Sequence, residues 1–154
     1  MRVIIGIGNP GSKYALTRHN AGMLLIEYLR KANKLTDTHY EISDEFMNSS
    51  GVFVRETFDY YKIELDELYI AHDDLDLLLG EFKIQKGIGP KLHNGIDSIN
   101  HALSNTNYWR IRIGVDNRDP ENRTPGEAYV LQRFNNDELD ILDNVFEQIA
   151  KDLM

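Results

Sequence analysis

VIIGIGNPG, residues 3–11, is the stretch that decides the fold class. Val3 to Ile7 is a short, mostly β-branched run, and Gly8-Asn9-Pro10-Gly11 stops it in a turn. Beyond the turn, Ala21 to Ala32 is long and free of Gly and Pro after Gly22, with Met23, Leu24, Ile26 and Leu29 loosely on one face. It is predicted as a helix. Residues 33–46 are polar and without a clear pattern. Leu68 to Ala71 is a second strand-like run, followed by an acidic turn and Gly80. Glu81 to Gln85 alternates, with Phe82 and Ile84 inward, and predicts a third strand. Ile96, Ile99 and Leu103 share one face of a helix opening near Asn94. Ile111, Ile113 and Val115 alternate with Arg110, Arg112 and Gly114 in a fourth strand whose second face carries arginines. Leu142, Val145, Ile149 and Leu153 form a terminal helical stripe, with Asn136 or Asp137 expected as its cap. Helices alternate with strands, so the expectation is one α/β domain over residues 1–154. Its predicted form is an α/β/α sandwich, a twisted mixed sheet flanked by helices.

Composition narrows the function classes. Apolar residues make up 42% and charged residues 27%, as in ordinary globular chains. No apolar run reaches the roughly 20 residues of a membrane helix, and the opening residues suit a strand better than a secretory signal. There is no cysteine, which excludes disulfides, thiolate nucleophiles and cysteine-ligated zinc and suits a cytoplasmic setting. The net charge of -8 argues against a polyanionic partner, but the charge is unevenly spread. Residues 36–81 hold thirteen acids against Arg55 and Lys62 alone. From 82 to 133, Lys83, Lys86, Lys91, Arg110, Arg112, Arg118, Arg123 and Arg133 outnumber five acids. An acidic protein with a local phosphate-binding face is compatible with that asymmetry.

Gly6-Ile7-Gly8-Asn9-Pro10-Gly11 fits the G-x-G-x-x-G spacing of dinucleotide sites. That motif needs a helix starting inside the loop so that free N–H groups meet the pyrophosphate. Here Pro10 removes a donor, the helix starts about ten residues later, and no strand ending in an acid follows at the required distance. The glycines are better explained by a tight strand–loop turn.

The loop that follows carries Thr17-Arg18-His19-Asn20. A neutral imidazole can accept a proton near neutral pH, provided an acceptor orients its other nitrogen. Candidate acceptors stand in Ala71-His72-Asp73-Asp74-Leu75-Asp76. Three readings compete there: a solvated acidic turn, a hard-cation site lacking the glycine and distal Glu of an EF-hand loop, and Asp73 at a strand end aimed at His19. Met47-Asn48 and His93-Asn94 are polar pairs flanked by glycine or serine, suited to helix capping or to binding a carbonyl or water. No G-x-S-x-G elbow surrounds Ser49 or Ser50, so a serine nucleophile is unsupported.

In order along the chain, GIGNPGSKYALTRHNAG, FMNSSG, AHDDLD, HNGIDSI, RIRIGV and YVLQRF resemble the bacterial-type peptidyl-tRNA hydrolase family. The resemblance implies an esterase that cleaves the bond between a peptide C-terminus and the 3′-terminal ribose of tRNA, a step in recycling tRNA from stalled translation. It implies His19 as general base with Asp73 as partner, and Asn9 and Asn94 serving the water or the oxyanion. Tyr14, Met47 and Asn48 would line the substrate site, with His93 at its rim. Lys83, Lys86, Lys91 and Arg112 would meet tRNA phosphate. No metal or other cofactor is implied, and a cytoplasmic monomer acting on the tRNA acceptor stem and 3′ end is expected.

Departures from the family pattern stand beside the matches. The stretch between His19 and Met47 is short and expected to lack a strand pair. Lys91 and Leu92 replace the usual glycines, and the C-terminal region stops early. The competing reading is a non-hydrolytic binder of RNA or protein. The distance between His19 and Asp73 discriminates the two, since a base and its orienting carboxylate must lie within hydrogen-bond reach.

Overall fold

The run at residues 3–7 supplies the second strand of a five-stranded sheet. In the computed structural model, which describes residues 1–154, β1 spans Arg2–Gly6, α1 Ala21–Ala32, β2 Thr38–Ile42, α2 Ser50–Tyr61 and β3 Leu68–Leu78. Then follow β4 Phe82–Lys86, α3 Asn94–Leu103, β5 Trp109–Asp116, α4 Gly126–Val130 and α5 Asn136–Leu153. The sheet order is β2-β1-β3-β5-β4. β1, β2, β3 and β5 are parallel, and β4 closes one edge antiparallel to β5. This is the expected α/β sandwich with a mixed sheet.

Alternation along β1 sends Ile4 to one face and Val3 and Ile5 to the other. Ile4 joins the core formed with Leu25, Ile26 and Leu29 of α1 and with Leu142, Val145, Phe146 and Ile149 of α5. Val3 and Ile5 join Val54 of α2 and Ile96, Ile99 and Leu103 of α3. Each such side chain, fully buried, contributes about 1.5–3 kcal/mol. The cap of α5 is neither Asn136 nor Asp137 but the residue before them: Asn135 is the N-cap, in a capping box with Glu138.

Three segments depart from the sequence reading. Residues 38–42, part of the stretch read as polar and without a clear pattern, form β2, whose residues are all at least partly exposed at the sheet edge. Only Tyr40 and Ile42 turn to the core, alternating with His39 and Glu41, and two apolar positions among polar neighbours make too short a period to stand out. The acidic turn expected after Ala71 is strand: β3 runs on through Leu78, with a register shift between Asp74 and Leu78. Asp73 and Asp74 are buried in pairs with histidines and a cation, and only Asp76 is exposed, so a rule expecting turns at acidic runs fails there. The arginines on β5 are likewise inside: Arg110 and Arg112 are both buried.

β1 leads through α1 on one face of the sheet, and β2 returns through α2 on the other face to β3 on the far side of β1. The C-terminal ends of β1 and β3 thus flank a topological switch point, where open α/β sheets leave a crevice for ligands. α1 reaches that crevice only because residue 22 is glycine: a Cβ there would collide with the Ala71 carbonyl of β3. No helix is long and apolar enough to cross a membrane.

Candidate active site

The loop leaving β1 and the turn entering α1 are joined by one residue. Asn20 donates from Nδ2 to the Asn9 carbonyl at 2.9 Å and accepts the Asn9 N–H at Oδ1 at 2.8 Å. Asn9 in turn accepts the Met47 N–H on its own Oδ1 at 2.8 Å, which leaves its Nδ2 without a protein partner. Three loops are therefore tied by amides before any catalytic group is placed. Sequence reading gave Asn20 no role, because an Asn just before a helix is expected to cap it. Here its side chain makes no cap bond and turns back to β1.

The Arg18–Asn20 turn presents His19, and the end of the regular part of β3 presents Asp73. His19 Nδ1 donates to Asp73 Oδ2 at 2.8 Å, and His93 Nε2 donates to Asp73 Oδ1 at 2.8 Å. Asp73 is therefore claimed on both oxygens while 2% exposed. Burial alone would push its carboxyl up. The His19 and His93 rings outweigh that and hold it well below the usual carboxylate range. Burial likewise disfavours charge on His19, but the attraction of Asp73 and their hydrogen bond prevail and raise its imidazole above 6.5. His19 Nε2 has no protein partner and is not sealed from solvent. That atom is free to act as a base.

His93 does not sit at the rim, as the resemblance implied, but is buried behind Asp73. It is also the N-cap of α3: Nδ1 accepts the Gly95 and Ile96 N–H groups at 3.1 and 3.2 Å. With two donors on Nδ1, the proton belongs on Nε2, facing Asp73. This assignment bears on metals. His19, Asp73 and His93 offer ligand atoms within 4.8 Å of one another. A cation at His93 Nε2 would have to displace that proton and leave the ring without one on either nitrogen. The donor set fits proton handling better than a metal.

The amides and apolar groups assigned to substrate lie on the segments next to Met47 and His93 or packed against them. Asn94 opens α3 beside His93 and is exposed, as is Asn48, which follows the buried Met47. Met47 lies under α3, its sulfur against Gly95. Tyr14 meets Phe46 edge-on with ring centroids 6.2 Å apart, and Phe46 is 56% exposed. Phe46 was missed from sequence because a lone exposed aromatic carries no pattern.

The cations divide. Lys83 and Lys91 are exposed, and the Lys91 N–H is held by Asp76 Oδ2 at 2.9 Å. Lys86 pairs with Asp66 and lies opposite Trp109, at the other end of β5 from Ile113, the residue beside Asp73. Arg112 is not an open surface cation. Its Nε donates to the buried Asp74 Oδ2 and its Nη1 to Gln85 Oε1, both at 2.7 Å. Alternation along β3 sends Asp73 and Asp74 to opposite faces, so each carboxylate meets a separate partner.

A family model described as peptidyl-tRNA hydrolase matches residues 3–44 and 38–154. A peptidyl-tRNA hydrolase of a Wolbachia strain from Drosophila simulans is 37% identical over 172 residues, covering 99% of this chain and 91% of the relative. One from Mycoplasma capricolum is 35% identical over 164 residues, covering 95% and 87%. Among solved structures, a peptidyl-tRNA hydrolase in complex with N-propanol superimposes with a TM-score of 0.88 at 28% identity, covering 99% and 86%. The Acinetobacter baumannii peptidyl-tRNA hydrolase gives 0.85 at 29%, with the same coverage.

Proposed function

The chain belongs to the peptidyl-tRNA hydrolase family and cleaves the ester of peptidyl-tRNA, and from that premise we propose that His19 is the base of the reaction. The observation that carries this reading is the 2.8 Å bond from His19 Nδ1 to Asp73, which leaves Nε2 as the free basic atom. Nε2 takes a proton from water as the water oxygen attacks the ester carbonyl. The resulting imidazolium, stabilised by Asp73, returns the proton to the ribose 3′-oxygen as the C–O bond breaks. The products are tRNA and the peptide acid, which gives its remaining proton to solvent and leaves as the carboxylate. His93 holds the second oxygen of Asp73 and so fixes the plane in which His19 is oriented.

Asn9 Nδ2 and the exposed amides of Asn48 and Asn94 supply donors for the carbonyl and for the oxyanion that replaces it. Tyr14, Phe46 and Met47 offer the apolar side of the peptide path. Lys83, at the end of β4 nearer the site, and Lys91, two residues before His93, hold phosphate at the tRNA acceptor end by charge alone. The whole chain works as one domain, a cytoplasmic monomer that needs no metal or other cofactor.

Release of labelled peptide from peptidyl-tRNA by the wild type and by His19→Ala tests this. Loss of turnover in a folded His19→Ala variant that still binds tRNA supports the assignment. Retained turnover removes His19 from the role.

A further inference from the structure

We propose that Arg18 is a positioning residue for His19, anchored by Glu138 at the start of α5 and by the Tyr129 ring of α4. The inference rests on His19 being the base. His19 lies in a three-residue turn whose N-cap, Thr17, makes no side-chain capping bond, and the only side-chain hydrogen bond of His19 is to Asp73. Its backbone is therefore placed by its neighbours. Asn20 fixes one side to the end of β1.

Arg18 fixes the other. It is 7% exposed, and its Nη2 donates to Glu138 Oε1 and Oε2 at 2.9 and 3.2 Å. Its guanidinium carbon stands 3.9 Å from the Tyr129 ring centroid, a close cation–π contact. The backbone follows the same path. The Arg18 N–H donates to the Gln132 carbonyl at 3.1 Å, and Thr17 bridges Arg133.

The anchor is itself immobilised. Glu138 also accepts the Asn135 N–H at 3.0 Å and Asn117 Nδ2 at 3.1 Å. Burial pushes its carboxyl up, but these donors and Arg18 outweigh burial and hold it below the ordinary carboxylate value. The Tyr129 hydroxyl donates to the Val115 carbonyl and accepts the Asn117 N–H, both at 2.9 Å. His19 is thus suspended between the ends of β1 and β5. A buried ion pair contributes little net stability compared with apolar groups of the same shape. Its position one residue from the base is explained by the direction it imposes.

The test is a double-mutant cycle on peptidyl-tRNA hydrolysis, with folding followed by thermal melting. Arg18→Gln and Glu138→Gln should each lower kcat on the order of 10- to 100-fold, the scale of a misplaced catalytic group. KM should stay within about 2-fold, and Arg18→Lys should recover part of the loss. In a His19→Ala background the same substitutions should alter the residual rate by less than about 2-fold, since they act through a group already removed. Glu138→Gln keeps the side-chain shape and the Asn135 contact, so it decides the matter if Arg18→Gln does not fold. Full kcat in folded Glu138→Gln, or an equal loss in the His19→Ala background, overturns the positioning role alone. Turnover retained by His19→Ala overturns the assignment of the base and the positioning role together.

Discussion

Nδ1 of His19 and Oδ2 of Asp73 are 2.8 Å apart, and the other Asp73 oxygen is occupied by His93 Nε2 at the same distance. The carboxylate cannot rotate away from His19 without breaking the second bond. His19 is therefore held as the Nδ1–H tautomer, with the lone pair on Nε2. Asp73→Asn removes the charge and allows the amide to donate toward Nδ1, which would favour the wrong tautomer. The expected result is a fall in kcat of about 10³- to 10⁴-fold with little change in KM. Steady-state rates on peptidyl-tRNA check it, and a fall of less than about 10-fold would remove Asp73 from the orienting role.

The same pair sets the pH profile. A base must be neutral to accept a proton, and the attraction of Asp73 raises His19 above 6.5 in spite of burial. The acid limb of kcat/KM should therefore lie above 6.5, with rate lost as pH falls through the raised value. In Asp73→Asn the burial remains while the attraction is gone, so the limb should move below 6.5. A limb that stays in place in the variant would mean that another group titrates.

Most of the fold was legible because it rests on apolar runs with clear limits. VIIGI at residues 3–7 and RIRIGV at 110–115 are buried parallel strands, and the stripe from Leu142 to Leu153 is a one-faced helix. β2 was not legible, because its apolar period is only two residues long, Tyr40 and Ile42, set in a polar stretch. The Asp73–Asp74 segment misled in the opposite sense, since its strand character comes from partners distant in sequence: His19, His93 and Arg112. Within the site, chemistry-bearing residue types could be picked out singly, but their connections could not. Asn20 acts through its paired bonds to Asn9 and Glu138 through its bonds to Arg18, and neither link leaves a period or spacing in the chain.

The separation of the cations yields a salt-dependence prediction. Lys83 and Lys91 are exposed, whereas Arg112 is closed within the sheet against Asp74. Replacing each lysine by Gln should reduce the slope of log K for tRNA against log salt by about 0.7–0.9 for each phosphate no longer neutralised. Arg112→Gln leaves the buried Asp74 carboxylate without its cation, at a cost of about 3–5 kcal/mol in stability. The surviving folded protein should keep the wild-type salt slope. A slope lowered by Arg112→Gln at unchanged stability would place that guanidinium on phosphate.

His72 supplies a stability signature independent of turnover. It is fully buried, its Nδ1 donates to the Asp73 carbonyl at 2.8 Å, and its Nε2 has no protein partner. Burial, then repulsion from the neighbouring His93, pushes its imidazole down to about 3. At pH 7 the ring is neutral in both folded and unfolded chains, so it costs nothing. As pH falls below 6.5 the unfolded chain takes up a proton that the folded one refuses until about 3. Stability should therefore decline by about 1.4 kcal/mol per pH unit across that window from this group alone. His19 does not interfere there, because it is raised: it is protonated in both states below 6.5, and its contribution fades only as pH rises through its folded value. His72→Asn retains a donor near the position of Nδ1 but has no proton to take up. Urea unfolding at pH 6.5, 5.5 and 4.5 should show the wild type losing stability faster than the variant as pH falls. Parallel losses would show that His72 is protonated in the folded chain, and its burial against His93 would then need a different account.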